Sequence, residues 1–231
     1  MSDNRKKGFF ITGTDTDIGK TYISRILADT LATKDSVTYM KPVQTGCKRN
    51  NHGDLSAPDF EYVMSGKAIY SGTYDQHIPY RFEPACSPHL AAQLASVTIS
   101  IDHISECFSK ISHQNTITIV EGAGGVMVPL SEKDSMADLM LHLGLPAILV
   151  TSPKLGTINH TLLSLNALKE KGIKTAGIVM NNCGNEPTDF IYHDNIKTIR
   201  DFIRPLPFLE VQYESTSNSI EGFCDAIKKL I

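Results

Sequence analysis

The chain has 231 residues, with 22 Lys and Arg against 25 Asp and Glu, a formal net charge of −3 and 41% hydrophobic residues. That size and apolar content suit one large α/β domain or two small ones with a sizeable core, and the near balance of charge without a basic block argues against a dedicated nucleic-acid binder. After the polar, basic start Met1–Lys7 the apolar run is only Gly8–Thr12, too short for a signal-peptide core or a membrane span, so a cytoplasmic protein with no membrane attachment is expected.

Gly8–Thr12 (GFFIT) reads as a buried strand running into a glycine-bearing loop. Lys20–Ala32 follows, with Ile23, Ile26, Leu27 and Leu31 at helical spacing. Ser36–Lys41 is a second strand, ended by Pro42, which has no N–H to give a ladder. From Gln44 to Gln114 the chain is irregular and holds turn residues such as Asn50–Asn51, Pro79, Pro84 and Pro88. It has no Gly/Ser-rich low complexity, so it reads as an excursion from the same domain and not as a linker. Thr116–Val120, Pro146–Thr151 and Thr175–Met180 are further short runs rich in β-branched residues. Helical candidates are Ser135–Leu143, Thr157–Lys171 and Thr188–Ile203.

Strands that are apolar throughout need cover on both faces, and strand–helix alternation implies right-handed crossovers. The expected fold is α/β: a mostly parallel sheet covered by helices on both faces, in a single domain spanning residues 1–231. Five scattered cysteines (Cys47, Cys86, Cys107, Cys183 and Cys224) form no C-x-x-C, and isolated thiols in a reducing compartment are the expected state.

The strongest local signal is Gly13-Thr14-Asp15-Thr16-Asp17-Ile18-Gly19-Lys20-Thr21, between a strand and a helix. Backbone N–H groups of such a loop converge on phosphate, a lysine adds charge at the β- and γ-phosphates, and the following hydroxyl ligates Mg²⁺. The spacing departs from the usual pattern, since Gly13 leaves five residues before the Gly-Lys pair. A helix start capped by Thr16 or Asp17 is the alternative. A P-loop NTPase-type nucleotide site explains Gly-Lys-Thr better. Three further segments follow strands: Lys41 in MKPVQTG, Glu121 in VEGAGG, and KLGTINHT at Lys154–Thr161. Ligands gather outside the carboxyl ends of parallel strands, so all three are candidates for the same region. Taken alone, Lys41 reads as a solvated strand end, the glycines as a structural turn, and Thr157 as a simple N-cap.

Together with PACSPHLAA at Pro84–Ala92, these segments in this order resemble the dethiobiotin synthetase family, over Phe9 to about Asn182. The resemblance implies a P-loop α/β domain working as a homodimer with its sites at the interface. It implies ATP, Mg²⁺, CO₂ or bicarbonate and 7,8-diaminononanoate as reactants, and dethiobiotin as product. A carbamate forms on one amine, takes the γ-phosphoryl group as a mixed carbamic–phosphoric anhydride, and is closed by the neighbouring amine.

By the same resemblance Lys20, Lys41, Thr16 and Thr45 serve the chemistry, and Gly13–Thr21 with Asn181 bind the nucleotide. Thr21, Glu121 and an aspartate, Asp59 or Asp54 with Asp59 favoured, hold the metal. Asp17, Lys41, Thr45, Gly124, Gly156, Thr157 and Asn159 bind the diamine substrate, the last three by receiving its carboxylate across the interface. The family's G-x-I-P segment is missing, with Arg204–Glu210 in its place, so weaker discrimination between adenine and guanine is expected. The competing class is a P-loop switch ATPase of the partitioning or positioning type. It carries a lysine where this chain has Asp15, and no C-terminal amphipathic membrane helix stands out here.

Overall fold

The computed structural model describes residues 7–182, 184, 186–212 and 217–231, so residues 1–6, Cys183, Asn185 and residues 213–216 lie outside the described residues. In chain order the elements are β1 (Gly8–Gly13), α1 (Lys20–Leu31), β2 (Val37–Met40), β3 (Val43–Gln44), β4 (Lys48–Arg49), β5 (Leu55–Ser56), α2 (Pro58–Met64), α3 (Tyr74–His77), β6 (Tyr80–Arg81), α4 (Pro88–Leu94) and α5 (Ile101–Ser112). They continue as β7 (Ile117–Gly125), α6 (Met136–Leu143), β8 (Ala147–Thr151), α7 (Thr157–Glu170), β9 (Thr175–Asn182), α8 (Phe190–Ile203), β10 (Phe208–Gln212) and α9 (Ser217–Lys228).

Six strands form one sheet in the order β10-β9-β8-β1-β7-β2, and every pairing in it is parallel. Side chains of a strand alternate between faces, and the two apolar layers divide accordingly. Phe9, Ile11, Tyr39, Ile119, Ile148 and Val179 pack on one side with residues of α1, α2 and α9. Phe10, Met40, Val120, Leu149 and Ile178 pack on the other with α4, α5, α6 and α8. Both faces are covered, which is why the central strands carry so few polar residues.

Besides the short elements between Val43 and Leu94, three elements were not read from the sequence. β10, one of the two edge strands, alternates, with Leu209 and Val211 buried between more exposed neighbours, whereas β2 at the other edge is buried throughout. The criterion of continuous apolarity therefore passes it by. α5 buries Ile104, Cys107, Phe108 and Ile111, and α9 buries Ile220, Phe223, Cys224 and Ile227; both carry the i, i+3, i+4, i+7 stripe of a half-buried helix. The amphipathic helix near the C-terminus, α9, turns its apolar side into the core. Thr157 is also corrected: Gly156 is the N-cap of α7, and the Thr157 hydroxyl bonds Thr151 Oγ1 at 2.9 Å.

β7 is longer than expected and takes in the whole VEGAGG segment. Its register with β1 pairs Ile11 with Glu121 and then Gly13 with Gly125. Two extra residues of β7 are thus looped out at the carboxyl edge. Gly124 sits there at φ 68°, a conformation that L side chains rarely adopt. The irregularity lies directly beside the Gly13–Thr21 loop.

Candidate active site

The loop after β1 is held at both ends. The Thr14 N–H donates to Val150 O at 3.0 Å, and the Thr16 N–H to Asp15 Oδ1 at 2.7 Å. Neither Thr16 nor Asp17 caps α1: the N-cap is Gly19, at φ 85°, without a side-chain cap. Only glycine fits at Gly19, since a Cβ would lie 2.0 Å from Asn181 Nδ2. That amide donates to Ile18 O at 2.8 Å. Asn181, expected at the nucleotide, therefore fastens the loop from β9. No N-cap side chain takes up the start of α1, an arrangement that suits a phosphate site.

Lys20 and Lys41 are both buried, at 7% and 4% exposure. Lys20 Nζ donates to Asp15 O at 2.7 Å. Burial first, and then the neighbouring Lys41 charge, bring its pKa down to about 8. Lys41 Nζ lies 2.6 Å from Glu121 Oε1 and 2.8 Å from Asp59 Oδ2. Burial by itself would lower the pKa of Lys41, but Glu121 and Asp59 outweigh it and the pKa is raised. Burial pushes the Asp59 carboxyl up, and Lys41 more than reverses this, so it is held below the usual range.

Glu121 is fully buried and accepts four hydrogen bonds: from Thr21 Oγ1 at 2.8 Å, Ser24 Oγ at 2.7 Å, Tyr39 OH at 2.9 Å and Lys41 Nζ at 2.6 Å. Four donors offset the large desolvation cost of a buried carboxylate. Ser24 and Tyr39 were not singled out from the sequence, although a signal exists. Ser24 is one helical turn beyond Thr21, and Tyr39 shares a strand face with Lys41 two residues on.

Lys20, Thr21, Lys41, Asp59 and Glu121 line a cavity of about 350 Å³, together with Thr16, Asp17, Gly19, Thr45 and Gly124. A second cavity, of about 570 Å³, lies against the other side of the same loop. Thr14, Asp15, Ile18, Lys154, Thr157, His160 and Asn181 border it. Of the expected site residues, Gly13 lies beneath the loop, where a Cβ would meet Ile18 Cδ1 at 2.6 Å. Gly156 and Asn159 are exposed at the start of α7; like Gly13, they are not part of either lining. Asp54 sits in the β4–β5 turn with its N–H on Asn50 Oδ1, and it borders a separate groove with Tyr80 and Arg81. Asp59, at the start of α2, is the aspartate that reaches Lys41.

Among the described residues there is no group of three or more His, Cys, Asp or Glu that could hold a metal. Two carboxylates and one hydroxyl, from Asp59, Glu121 and Thr21, do converge on Lys41 and on each other. An oxygen-only set this small fits Mg²⁺, which keeps waters and shares phosphate oxygens instead of demanding a full protein cage. Among the described residues no helix is long and apolar enough to cross a membrane.

Comparison with known proteins agrees with this geometry. A family described as an AAA domain matches residues 7–219. The ATP-dependent dethiobiotin synthetase BioD of Fusobacterium nucleatum is 37% identical over 221 residues, covering 94% of this chain and 98% of that protein. The protein of the same name from Clostridium botulinum strain 657 is 38% identical over 219 residues, 93% of each chain. Among solved structures, the cell division ATPase MinD of Pyrococcus furiosus aligns with a TM-score of 0.59 at 16% identity, over 98% of this chain and 100% of that one. A plasmid partition protein of Borrelia burgdorferi bound to AMPPNP gives 0.62 at 10% identity, over 99% and 100%. At such identities the structures attest the P-loop α/β fold alone.

Proposed function

The chain belongs to the dethiobiotin synthetase family, and from that premise we propose how its own residues perform the family's reaction. The activity is ATP-dependent formation of dethiobiotin in biotin biosynthesis. The reactants proposed are 7,8-diaminononanoate, CO₂ and ATP, handled by one domain over residues 1–231 that works as a cytoplasmic homodimer. One sheet takes strands from both ends of the chain, β1 and β10, which supports the single domain.

The observation that carries the reading is a pair of buried lysines in one cavity beside the phosphate loop. The reaction brings two anions together, a carbamate and the γ-phosphate, and such an approach needs fixed positive charge that is already desolvated. One amine of the substrate adds to CO₂ and loses a proton, giving the carbamate, whose oxygen Thr45 and Lys41 bind. That oxygen attacks the γ-phosphorus, the bond to the β-phosphate oxygen breaks, and ADP leaves. Lys20 and the loop N–H groups hold the phosphates in line, with Thr16 near the γ-phosphate and Asp17 at the diamine end of the substrate. The neighbouring amine then attacks the carbonyl carbon of the mixed anhydride. The carbon–oxygen bond to phosphate breaks, a proton is released, and the five-membered ring closes.

Thr21, Asp59 and Glu121 would hold Mg²⁺, which when bound neutralises charge on the β- and γ-phosphates. Gly124 lets the β7 backbone come close to the substrate. Gly156, Thr157 and Asn159 are assigned to the substrate carboxylate in the other subunit of the dimer. The second cavity, with Asn181, is assigned to the nucleotide, with weak base selectivity expected: a kcat/KM preference for ATP over GTP below about a hundredfold.

ADP release measured with and without 7,8-diaminononanoate and bicarbonate tests the whole reading. Turnover that requires both is expected. ATP hydrolysis indifferent to both would instead return the chain to the switch-ATPase class, whose fold it shares.

A further inference from the structure

Lys41 stands one residue beyond the ladder that joins β2 to β7, whose last pair is Met40 with Val120. The six-stranded sheet therefore does not hold the Lys41 main chain. β2 is also an edge strand, so on the side away from β7 its polar groups face no further strand of that sheet. The chain between α2 and β6 serves that side instead. The Ile69 N–H donates to Val37 O at 2.7 Å, the Nδ1 of His77 lies 2.6 Å from Tyr39 O, and the Lys41 N–H donates to His77 O at 2.9 Å. His77 thus grips β2 twice, on either side of Met40, and one of the grips is on Lys41 itself.

The His77 side chain is fully buried, and two of its neighbours lead to the charged cluster. Tyr39, whose carbonyl it meets, gives its hydroxyl to Glu121. Phe60, whose ring lies 5.3 Å from the imidazole between centroids, follows Asp59 in α2. Tyr70 stacks on the imidazole at 5.0 Å. A second carbonyl, Ser71 O, meets Nε2. A neutral imidazole has one N–H for these two acceptors. Burial lowers the His77 pKa by more than the two carbonyls raise it, so above neutral pH the ring carries a single hydrogen. That hydrogen is needed more at Nδ1, because Tyr39 is 0% exposed and its carbonyl has no access to water, whereas Ser71 is partly exposed.

We propose that His77 is a positioning residue for Lys41. The Nδ1–H bond to Tyr39 O locks the end of α3 against β2, so that the His77 carbonyl holds the Lys41 main chain where its Nζ meets both Glu121 and Asp59. The inference deepens the reading given above, in which Lys41 binds the carbamate, and rests on it for the kinetic part of its test. His77 borders neither cavity and acts only through Lys41. The phosphate loop is fastened separately, by the Thr14 N–H on Val150 O and by Asn181 on Ile18 O. Loss of the ring bond should therefore reach the chemistry and spare nucleotide binding.

Three variants separate the ring nitrogens. His77→Asn places an amide N–H near the position of Nδ1, His77→Gln near that of Nε2, and His77→Leu supplies neither. Thermal unfolding verifies that each is folded. His77→Leu and His77→Gln should lower kcat for diamine-dependent ADP release about tenfold or more, with affinity for a non-hydrolysable ATP analogue within about twofold, and His77→Asn should recover most of the loss. Nitrogen-15 NMR of the histidine-labelled wild-type chain above neutral pH needs no variant, and should show the His77 hydrogen on Nδ1. A wild-type kcat in His77→Leu, recovery by His77→Gln equal to that by His77→Asn, ATP-analogue affinity falling in step with kcat, or a hydrogen on Nε2 alone would each overturn the role of His77 and leave the reaction standing. ADP release by the wild-type chain that ignores the diamine would overturn the reaction and the kinetic role together.

Discussion

Lys41 and Lys171 each hold a carboxylate at nearly the same distance, 2.6 Å to Glu121 and 2.7 Å to Asp138. By geometry alone the two pairs are equivalent. Their surroundings differ: the Lys41 and Glu121 side chains are 5% and 0% exposed, against 37% and 28% for Lys171 and Asp138. The first pair is sealed between α1, α2 and the sheet edge, with Ser24, Tyr39 and Asp59 filling the remaining valences. The second joins α6 to the end of α7 in reach of water, and Asp138 also closes a capping box with Ser135. Burial makes the first pair a store of fixed charge that a reaction can use. The second secures a helix.

The contrast can be broken or sharpened by mutation, beginning with the largest expected effect. Lys41→Met should lower diamine-dependent ADP release by about a thousandfold, since it removes the main positive group facing the carbamate. It should also cost about 3–5 kcal/mol in urea unfolding, because Glu121 and Asp59 are left without their partner. Lys171→Met measured in the same assays should leave turnover within about twofold. Comparable losses of turnover in both variants would abolish the distinction drawn from burial.

Asn181→Ala comes next. It releases Ile18 O, and nucleotide affinity should fall about fivefold to tenfold as the loop loses that fastening. Calorimetry with an ATP analogue reads this directly. Tyr39→Phe removes one of the four donors to Glu121 and should cost about 1–2 kcal/mol of stability, with a smaller loss of turnover than in Lys41→Met. A neutral outcome would mean that Thr21, Ser24 and Lys41 suffice at Glu121.

The smallest effect belongs to the exposed pair. Burial would raise the Asp138 carboxyl, but bonds from Lys171 and Ser135 outweigh it and bring the pKa down to about 2. The unfolded carboxyl titrates near 3.8. Its contribution is therefore complete above that value and fades as the pH falls toward 2. Asp138→Asn should cost about 1 kcal/mol at pH 7, as loss of a cap does. The gap between variant and wild type should close in thermal unfolding near pH 2. A gap independent of pH would assign the effect to packing.

Much of the sheet was legible because β1, β7, β8 and β9, and the edge strand β2 as well, are largely buried and so mostly apolar along their length. The edge strand β10 was not, since it alternates. The loop and Lys20 were legible because phosphate binding imposes local spacing, whereas Lys41, a strand-end candidate, was assigned a role only through the family resemblance. Asp59 could be favoured over Asp54 by counting along the chain; the start of α2 brings Asp59 to Lys41, while Asp54 lies in an exposed turn.

By itself the sequence determined the fold class and the identity of the loop, because both rest on local patterns: periodicity of two or 3.6 and a glycine-lysine spacing. Only the tertiary structure decided that Glu121 is enclosed by Thr21, Ser24, Tyr39 and Lys41, and that Asn181 fastens the loop. Those contacts join residues up to 163 positions apart. Burial and hydrogen bonding across such separations depend on how strands and helices pack, and no local pattern records them.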